Sequence, residues 1–398
     1  MIAACAFFAL QTQRLVRSDV PSPDQVSFCI AAPLPKLGYK DLELFEVGLR
    51  TLTKGSQEYS PPTIRQVTEG HGIMCKLLGD SALVMVTVPK GAANSGLDLL
   101  ASLMRSPTLD QDDLDTFLRT QAAPTSSYWN DGMHPEKFDL GGAPRDDVLA
   151  VFQRVFRPDR IVVAFGGAIG QTDVAQLWTD HTQGWTPPKE PRFPDDSVPH
   201  LLMNIAGPVT VTELIGTSFK ASNPDLPSYM LALYALGSGK GSSLYRIARE
   251  QHAWSYRQEA YLWPTTSGWE PRLFIPMIGS SEAANRIQSL KQELQTDVAN
   301  WTETDRLRAI GMAESTLLGG LPYGPLLLGD SPIGDTLQDK VAMAAYWRMK
   351  TGADWDPQVL FQQISKVDLD GLKASARAIL EGSRPSVLPG RGSAAGGP

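Results

Sequence analysis

The sequence predicts an α+β fold made of two domains that repeat one order of elements. The chain has 398 residues, which is more than a single hydrophobic core usually fills, so at least two domains are expected. A segment with five prolines, Trp185 to Pro199, lacks hydrophobic periodicity and divides the chain nearly in half. On each side of it, the pattern predicts a strand, helices, a hairpin, further helices and a strand. Two related α+β domains joined by a linker follow from these observations.

The domain boundaries follow from the same segments. We place the first domain at residues 14–184, the linker at 185–199 and the second domain at 200–384. Residues 385–398 are rich in Gly, Pro, Ser and Ala, a composition typical of a flexible tail. The stretch 1–13 begins with apolar residues that are too few to span a bilayer, and it resembles the end of a signal peptide. That interpretation favours the periplasm or cell envelope; the alternative is a frayed N-terminus or strand of a cytoplasmic protein.

Helical and alternating periodicity define the first domain. Its first helix, residues 41–52, carries Leu42 and Leu49 on one face. A second helix begins at Pro61, since proline is tolerated in a first helical turn. The other predicted elements are a strand at 26–31, a hairpin of strands 74–78 and 82–88, helices at 96–105, 109–121 and 145–156, and a strand at 161–165.

The second domain is predicted in the same way. Thr302 and Asp305 have the spacing of a capping box and therefore predict the start of a helix. The other predicted elements are a strand at 209–219, helices at 227–236 and 242–251, strands at 256–263 and 272–278, and helices at 282–301 and 367–380.

Composition limits the function. Hydrophobic residues make up 42% and charged residues 20% of the chain, as in ordinary globular proteins. The net charge of −7 argues against a nucleic-acid partner. The five histidines show no metal-ligand spacing. The three cysteines, Cys5, Cys29 and Cys75, are too few for a disulfide framework or a cysteine-based zinc site. A single bridge between Cys29 and Cys75 stays open.

A glycine-rich break interrupts the helices of the second domain. The helix that ends near Leu236 is followed by Gly237, Gly239 and Gly241, and a helix restarts at Ser242-Ser243. Either serine hydroxyl can accept from an unpaired amide of the new helix. A phosphate-binding loop would need Ser or Thr after the lysine, and here Lys240 is followed by glycine. Nucleotide binding is therefore not predicted.

Arg249 and Tyr256 are the candidate binding pair of the second domain. Arg249 lies on the restarted helix, and Tyr256 follows seven residues later, where the pattern changes from helix to strand. A guanidinium and a phenol held on rigid elements suit a peptide carbonyl or an oxyanion. From spacing alone, the alternative is a flexible loop with Arg249 in a salt bridge and Tyr256 in the core.

The run GSSLYRIAREQHAWSY resembles the second-domain signature of the M16 family, which includes insulinase, pitrilysin and the mitochondrial processing peptidase. The resemblance spans roughly Arg14 to Arg384, and it implies two related LuxS/MPP-like domains that form half of a clamshell. Arg249 and Tyr256 fall on the Arg and Tyr with which the family holds substrate opposite the metal. The resemblance also suggests that Gly237, Gly239 and Gly241 line the substrate chamber.

The catalytic motif of the family is missing. Active members carry HxxEH, two zinc-binding histidines and a water-activating glutamate, on the first helix. The segment Leu52 to Ser56 resembles the sequence that follows this motif, which places Glu46, Leu49 and Arg50 at the first ligand, base and second ligand positions. An arginine repels a dication, and the segment 117–121, where a third ligand is expected, has no carboxylate. No metal site is therefore predicted in this chain.

Other polar residues do not replace that site. The acidic residues from Asp110 to Asp115 are interpreted as a solvated helix N-terminus, which the helix dipole favours. His71, His134 and His252 lie on separate segments without paired spacing. These residues are therefore not predicted to bind a metal.

The resemblance implies a non-catalytic, substrate-binding subunit of a heterodimeric M16 zinc peptidase. In that arrangement an HxxEH-containing partner carries the zinc, unfolded peptides are the substrate, and this chain supplies Arg249 and Tyr256 to a composite active site. The chain is not expected to be a peptidase alone. The alternative is a purely structural or binding M16-like protein without a role in proteolysis.

Overall fold

A computed structural model of the chain describes residues 15–35, 37–77, 80–120, 141–186, 209–265, 268–278, 282–319, 325–328, 331–332 and 336–388. Several predicted features lie outside these residues. They are the signal-like stretch 1–13, the linker from residue 187, the tail from residue 389, His134, Cys5, and residues 78–79 of the predicted hairpin.

The described elements alternate between strands and helices along the chain. The strands are β1 (Leu15–Ser18), β2 (Gln25–Pro33), β3 (Ile73–Leu77), β4 (Ser81–Pro89), β5 (Val162–Gly167), β6 (Val209–Ile215), β7 (Phe219–Lys220), β8 (Glu259–Thr265), β9 (Gly268–Ile278), β10 (Leu327–Leu328), β11 (Ser331–Pro332) and β12 (Arg384–Leu388). The α-helices are α1 (Tyr39–Thr51), α2 (Pro61–Val67), α3 (Ala93–Arg105), α4 (Gln111–Thr120), α5 (Arg145–Val155), α6 (Gln171–His181), α7 (Leu226–Gly237), α8 (Ala283–Asn300), α9 (Glu303–Leu317), α10 (Leu337–Thr351), α11 (Pro357–Ser365) and α12 (Leu369–Glu381). A π-helix spans Tyr245–Gln251, and short 3-10 helices span Leu52–Lys54 and Lys90–Ala92.

The first of two compact units contains the described residues up to 186 together with residues 336–355. Its sheet has the order β1-β5-β2-β4-β3, in which β1 is parallel to β5 and the other neighbours are antiparallel. Nearly every residue of β2 and β4 is buried. Strands that are buried on both faces lose the alternation of polar and apolar residues, which is why these two read as continuous apolar runs.

Helix α1 is deeply packed in this unit. Gly48 lies so close to α5 that an added Cβ would come within 2.8 Å of the Val148 side chain. The ring of Phe45 lies 6.2 Å from that of Phe152 and 5.8 Å from that of Phe156, between ring centres. The face of α1 that the periodicity predicted to be apolar is therefore the face in the core.

Helix α10 returns to the first unit from late in the chain. It packs on β1, β2, β4 and β5, with a continuous buried run from Val341 to Trp347. At its end the Lys350 ammonium forms a buried ion pair with Asp80, the residue directly before β4. Sequence analysis did not predict α10, because a helix buried on most sides lacks an amphipathic period.

The second unit contains the described residues 209–332 and 356–388. Its sheet follows the order β12-β6-β9-β7, and β8 also pairs with β9. Helix α7 is buried from Met230 to Gly237 and packs against α9, α11, α12 and strand β8. The first residues of the predicted tail, 385–388, form part of β12, which pairs with β6.

The predicted α+β class is confirmed, and the element boundaries differ in informative places. The strand predicted at 209–219 is broken into β6 and β7, with Gly216 between them. The strand predicted from Tyr256 begins only at Glu259. The helix at 302 begins as predicted, with the Thr302 amide donating to the Asp305 carboxylate at 2.8 Å.

Cys29 and Cys75 are free thiols. They lie on β2 and β3, and β4 runs between these strands: Cys29 is opposite Met85, and Cys75 is opposite Val84. Two strand spacings of about 4.8 Å each separate their backbones, which exceeds the roughly 7 Å limit for a disulfide. The bridge that sequence analysis left open therefore does not form.

No helix among the described residues combines the length and the apolar character that crossing a bilayer requires.

Candidate functional site

The segment around Arg249 is a π-helix instead of the predicted α-helix. Its widened turn is visible in the bond from the His252 amide to the Ile247 carbonyl at 3.2 Å. It begins as predicted, because the Ser242 hydroxyl accepts from the Tyr245 amide at 3.3 Å. It ends at Ala253, whose φ of 51° is left-handed. Wide turns of this kind are rare and often accompany functional sites.

The guanidinium of Arg249 is exposed and held on three sides. Its Nη1 donates to the Tyr256 carbonyl oxygen at 3.1 Å. Its Cζ lies 5.2 Å from the ring centre of Tyr245 and 5.7 Å from that of Tyr256, which is within the range of cation–π attraction. These contacts fix the guanidinium and leave most of its five N–H donors unfilled.

Among the described residues, Arg249 differs from the neighbouring arginines because it has no acidic partner. Arg246 pairs with Asp297 at 2.9 Å, and Arg257 pairs with Glu259 at 2.6 Å. In the part of the chain that the structure describes, no carboxylate forms an ion pair with Arg249. The site therefore presents a fixed positive charge to solvent.

Tyr256 lies in the loop before β8, and its side chain is 68% exposed. The sequence predicted that it would begin a strand, and this prediction is wrong by three residues. Pairing between β8 and β9 begins at Glu259, so Tyr256 remains outside the ladder and its ring is free to face Arg249. The alternative of a core tyrosine and a salt-bridged arginine does not describe this geometry.

A polar network attaches the π-helix to α8. The Arg246 guanidinium donates to both oxygens of Asp297 at 2.9 Å. The Ser243 hydroxyl donates to Asp297 at 2.5 Å and accepts from the Trp301 indole at 3.1 Å. Side chains held by several charge-assisted bonds have little rotational freedom, so the helix that carries Arg249 has a fixed position on α8.

The loop between Arg249 and Tyr256 has a second attachment to α8. His252 Nε2 lies 2.8 Å from the Glu293 carboxylate. The His252 ring stacks on Trp254 with 4.0 Å between centres, and the Arg286 Cζ lies 5.9 Å from the Trp254 ring centre. His252, which was not predicted to bind a metal, is thus an anchor of this loop.

A buried network holds the strand that follows Tyr256. The Tyr261 hydroxyl donates to Glu213 at 2.9 Å, and Arg272 pairs with Glu270 at 2.8 Å and Glu213 at 3.5 Å. Burial raises the pKa of the Glu213 carboxyl, and the Arg272 guanidinium opposes that rise. Tyr261 therefore links β8 to Glu213 on β6, and Arg272, its partner on β9, completes the network.

Packing explains two of the three predicted loop glycines. A Cβ at Gly237 would come within 2.4 Å of the Ala260 side chain, and one at Gly241 within 2.6 Å of the Arg308 side chain. Gly239 has a φ of 76°, which favours glycine. Arg308 donates to the Ser238 and Ala235 carbonyls at 3.2 Å and 2.9 Å, and burial lowers the pKa of its guanidinium. The loop from 239 to 241 is exposed.

The predicted degenerate positions lie on α1 in the first unit. Leu49 is 1% exposed and belongs to the core. Glu46 is buried, and its carboxylate pairs with Arg50 at 3.4 Å. Across the described residues, no group of three or more His, Cys, Asp or Glu side chains is placed to hold a metal ion.

The acidic cluster lies at the start of α4, as the sequence predicted. Asp112 and Asp113 are in its first turn. Asp113 pairs with Lys54 at 3.1 Å, and Asp115 accepts from Gln111 at 2.8 Å. His71 is exposed and lies on a different segment, so it does not join this cluster.

Comparison with known families shows which family the second half of the chain resembles. Residues 143–310 match the model of the M16 peptidase family described as the inactive domain. This segment, which is less than half of the chain, is similar to the M16 inactive domain. The matched segment contains the π-helix with Arg249 and the loop with Tyr256. No curated protein matches the chain.

Solved structures show the same fold over almost the whole chain. The crystal structure of a peptidase M16 inactive domain from Pseudomonas fluorescens is 14% identical, with a TM-score of 0.69 and 94% of each chain covered. A protease from Helicobacter pylori is 13% identical, with a TM-score of 0.68, covering 94% of this chain and 96% of that one. These likenesses establish the M16 fold.

The residues at the M16 motif positions do not fit a zinc ion. A zinc site needs three or four His, Cys, Asp or Glu ligands at about 2 Å. Leu49 offers no ligand atom and is enclosed in the core, while the carboxylate of Glu46 is already engaged by Arg50. We therefore assign no zinc ion to these positions.

The residues that hold the candidate site in place were not predicted from the sequence. Tyr245 precedes Arg249 by four residues, and that spacing places two side chains on one face of a helix, so it could have been identified. Asp297 and Glu293 lie some 40 to 50 residues away from their partners Arg246 and His252. No local sequence pattern predicts such long-range contacts.

Proposed function

We propose that the chain is the non-catalytic, substrate-binding subunit of a heterodimeric M16 zinc peptidase. The observation that carries this proposal is the environment of Arg249. Its exposed guanidinium is held by two tyrosine rings, and none of the described residues supplies it with a carboxylate partner. In a purely structural protein, nothing would favour keeping a bare charge and a 68% exposed phenol side by side. A ligand that approaches from solvent accounts for both.

The role of Arg249 and Tyr256 is to orient the substrate and to stabilise charge. The free N–H groups of Arg249 bind a peptide carbonyl oxygen, and the Tyr256 hydroxyl supplies a second donor. Donors fixed before the reaction stabilise an oxyanion more effectively than donors that must reorganise, and removal of one commonly costs about 10²–10³ in turnover. The bonds of Arg246 and His252 to α8 support such preorganisation.

The partner is an M16 chain that contains HxxEH and carries the zinc. Helix α1 supports this proposal, since its motif positions in this chain hold Leu49 in the core and an Arg50–Glu46 ion pair. We further propose that unfolded peptides are the substrate and that the exposed loop from Gly239 to Gly241 lines the chamber, where absent side chains admit an extended backbone. The proposed compartment is the periplasm or cell envelope.

Reconstitution tests the proposal. Cleavage of a mixed set of short unfolded peptides is measured with this chain alone, with the HxxEH partner alone, and with both. Activity that appears only in the mixture supports a composite site, provided that size-exclusion chromatography shows a complex. A partner that is equally active without this chain would identify the protein as a scaffold or binder instead.

A further inference from the structure

We infer that the Arg249 site recognises a carboxylate group of the peptide, in addition to its carbonyl groups. The inference rests on the proposed function and specifies the substrate class of the same site. A carboxylate can come from the C-terminus of a short peptide or from an acidic side chain. The chemistry is shared, and the experiment below separates the two sources.

The unfilled donors of Arg249 match a carboxylate in number and arrangement. Among the residues that the structure describes, only Nη1 of Arg249 has a hydrogen-bond partner, the Tyr256 carbonyl at 3.1 Å. The edge formed by Nε–H and Nη2–H is therefore intact, and it presents two parallel donors. A peptide carbonyl fills one such donor, whereas the two oxygens of a carboxylate fill both in the bidentate arrangement that arginine prefers.

The charge of the site also favours a carboxylate ligand. Arg246, Arg257 and His252 each face a carboxylate from their own chain, at 2.9, 2.6 and 2.8 Å respectively. Among the basic side chains of residues 245–257, Arg249 is the one for which the described residues supply no carboxylate partner. A single unpaired cation suits a monoanion, while a phosphate usually requires a cluster of arginines.

The fixed position of the Arg249 guanidinium increases its selectivity for a carboxylate over an uncharged group. The rings of Tyr245 and Tyr256, at 5.2 and 5.7 Å from Cζ, restrict the guanidinium from two sides. The exposed Tyr256 side chain places a hydroxyl in the same region, where it can donate to a carboxylate oxygen. A preorganised fork loses little entropy when the ligand arrives.

The experiment compares matched peptides in the reconstituted complex. One N-acetylated, uncharged sequence is prepared with a free C-terminal carboxylate and as the C-terminal amide. A second amidated pair differs only by Glu or Gln near the C-terminus. We expect kcat/KM to favour one carboxylate-bearing member by about tenfold at low salt, with the preference falling as ionic strength rises because the site is exposed. The pair that shows the preference identifies the source.

Three variants separate the possible outcomes. Arg249→Lys keeps the charge but removes the fork, so the preference should fall to about twofold or less. Arg257→Gln, in the same loop but already paired with Glu259, should keep it. Equal cleavage of both members of each pair, combined with loss of all cleavage in Arg249→Ala, would overturn the inference and leave the proposed function standing. Unchanged cleavage in Arg249→Ala would instead contradict the proposed function itself. A preference that survives Arg249→Lys would also overturn the inference.

Discussion

Arg249 differs from the other arginines of its segment in what its guanidinium contacts. Arg246 and Arg257 have short bonds to Asp297 and Glu259, while Arg249 contacts two rings and a carbonyl. An exposed ion pair contributes little to stability, about 0–1 kcal/mol, so the absence of one at Arg249 costs the fold little. The cation–π contacts and the carbonyl bond hold the Arg249 side chain in place and leave its charge available to a ligand.

At the residue scale, Ala253 tests the strain at the end of the π-helix. Its φ of 51° is left-handed, a conformation that costs an L-residue about 1–2 kcal/mol. Replacement by glycine relieves this cost and adds some entropy to the unfolded chain. Ala253→Gly should therefore raise the free energy of unfolding by about 0.5–1 kcal/mol, measured by chemical denaturation.

The matched control is Gly239→Ala, which introduces a side chain at a φ of 76°. It should lower the free energy of unfolding by about 1 kcal/mol. Equal effects of the same sign in the two variants would show that backbone strain does not govern this segment.

At the element scale, close packing of α7 on β8 depends on Gly237. A Cβ there would come within 2.4 Å of the Ala260 side chain and 2.5 Å of its amide nitrogen, and backbone cannot move aside cheaply. Gly237→Ala should destabilise the protein by about 2 kcal/mol or more. Gly311 on α9 is the control, since nothing lies within 4 Å of an added Cβ; Gly311→Ala should stabilise by about 0.5–1 kcal/mol. Thermal denaturation of both variants checks the contrast, and a stable Gly237→Ala protein would contradict the packing account.

The anchoring of α10 on the first sheet depends on the buried pair of Lys350 and Asp80. Lys350→Met leaves a buried carboxylate without its ammonium, which should lower the free energy of unfolding by about 3 kcal/mol. The double variant Asp80→Asn, Lys350→Met should recover part of this loss, because no unpaired charge remains. Full additivity of the two single substitutions would show that the pair is not coupled.

The same variant should show a characteristic pH dependence. Burial raises the pKa of Asp80 in the folded protein, and Lys350 opposes this rise. A carboxyl with a raised folded pKa contributes stability below its unfolded pKa, near 4, and loses that contribution as pH rises through its folded pKa. Without Lys350 the rise is larger, so Lys350→Met should be more destabilising at pH 8 than at pH 5. Denaturation midpoints at the two pH values measure this difference.

Local periodicity predicted many of these elements correctly. It gave no prediction, or a wrong one, where tertiary packing determines the type or position of an element. The amphipathic face of α1 and the capping box at Thr302 and Asp305 were predicted correctly, because they depend on nearby residues. Helix α10 was missed, because its buried run from Val341 to Trp347 has no polar face. The π-helix was predicted as an α-helix, since the two differ in hydrogen bonding and hardly in sequence pattern.

At the scale of the whole molecule, two properties of the sequence were recognisable and one was not. The repeated α+β pattern and the run from Gly241 to Tyr256 indicated the M16 fold, which the match over residues 143–310 and the solved structures show. The path of the chain was not recognisable, because α10 packs on strands far earlier in the chain. It follows β5 by some 170 residues, β4 by some 250, and β1 and β2 by more than 300. Contacts of such sequence separation leave no local signal.

The measurement that tests the central claim most directly is the turnover of the reconstituted complex with Arg249→Ala beside Arg257→Gln. Both substitutions remove an arginine from one exposed segment, but the described residues supply a carboxylate partner to Arg257 and none to Arg249. With complex formation unchanged, Arg249→Ala should lower kcat/KM by about 10²–10³, while Arg257→Gln should lower it less than about threefold. Equal, small effects of the two substitutions would contradict the claim that Arg249 binds the substrate.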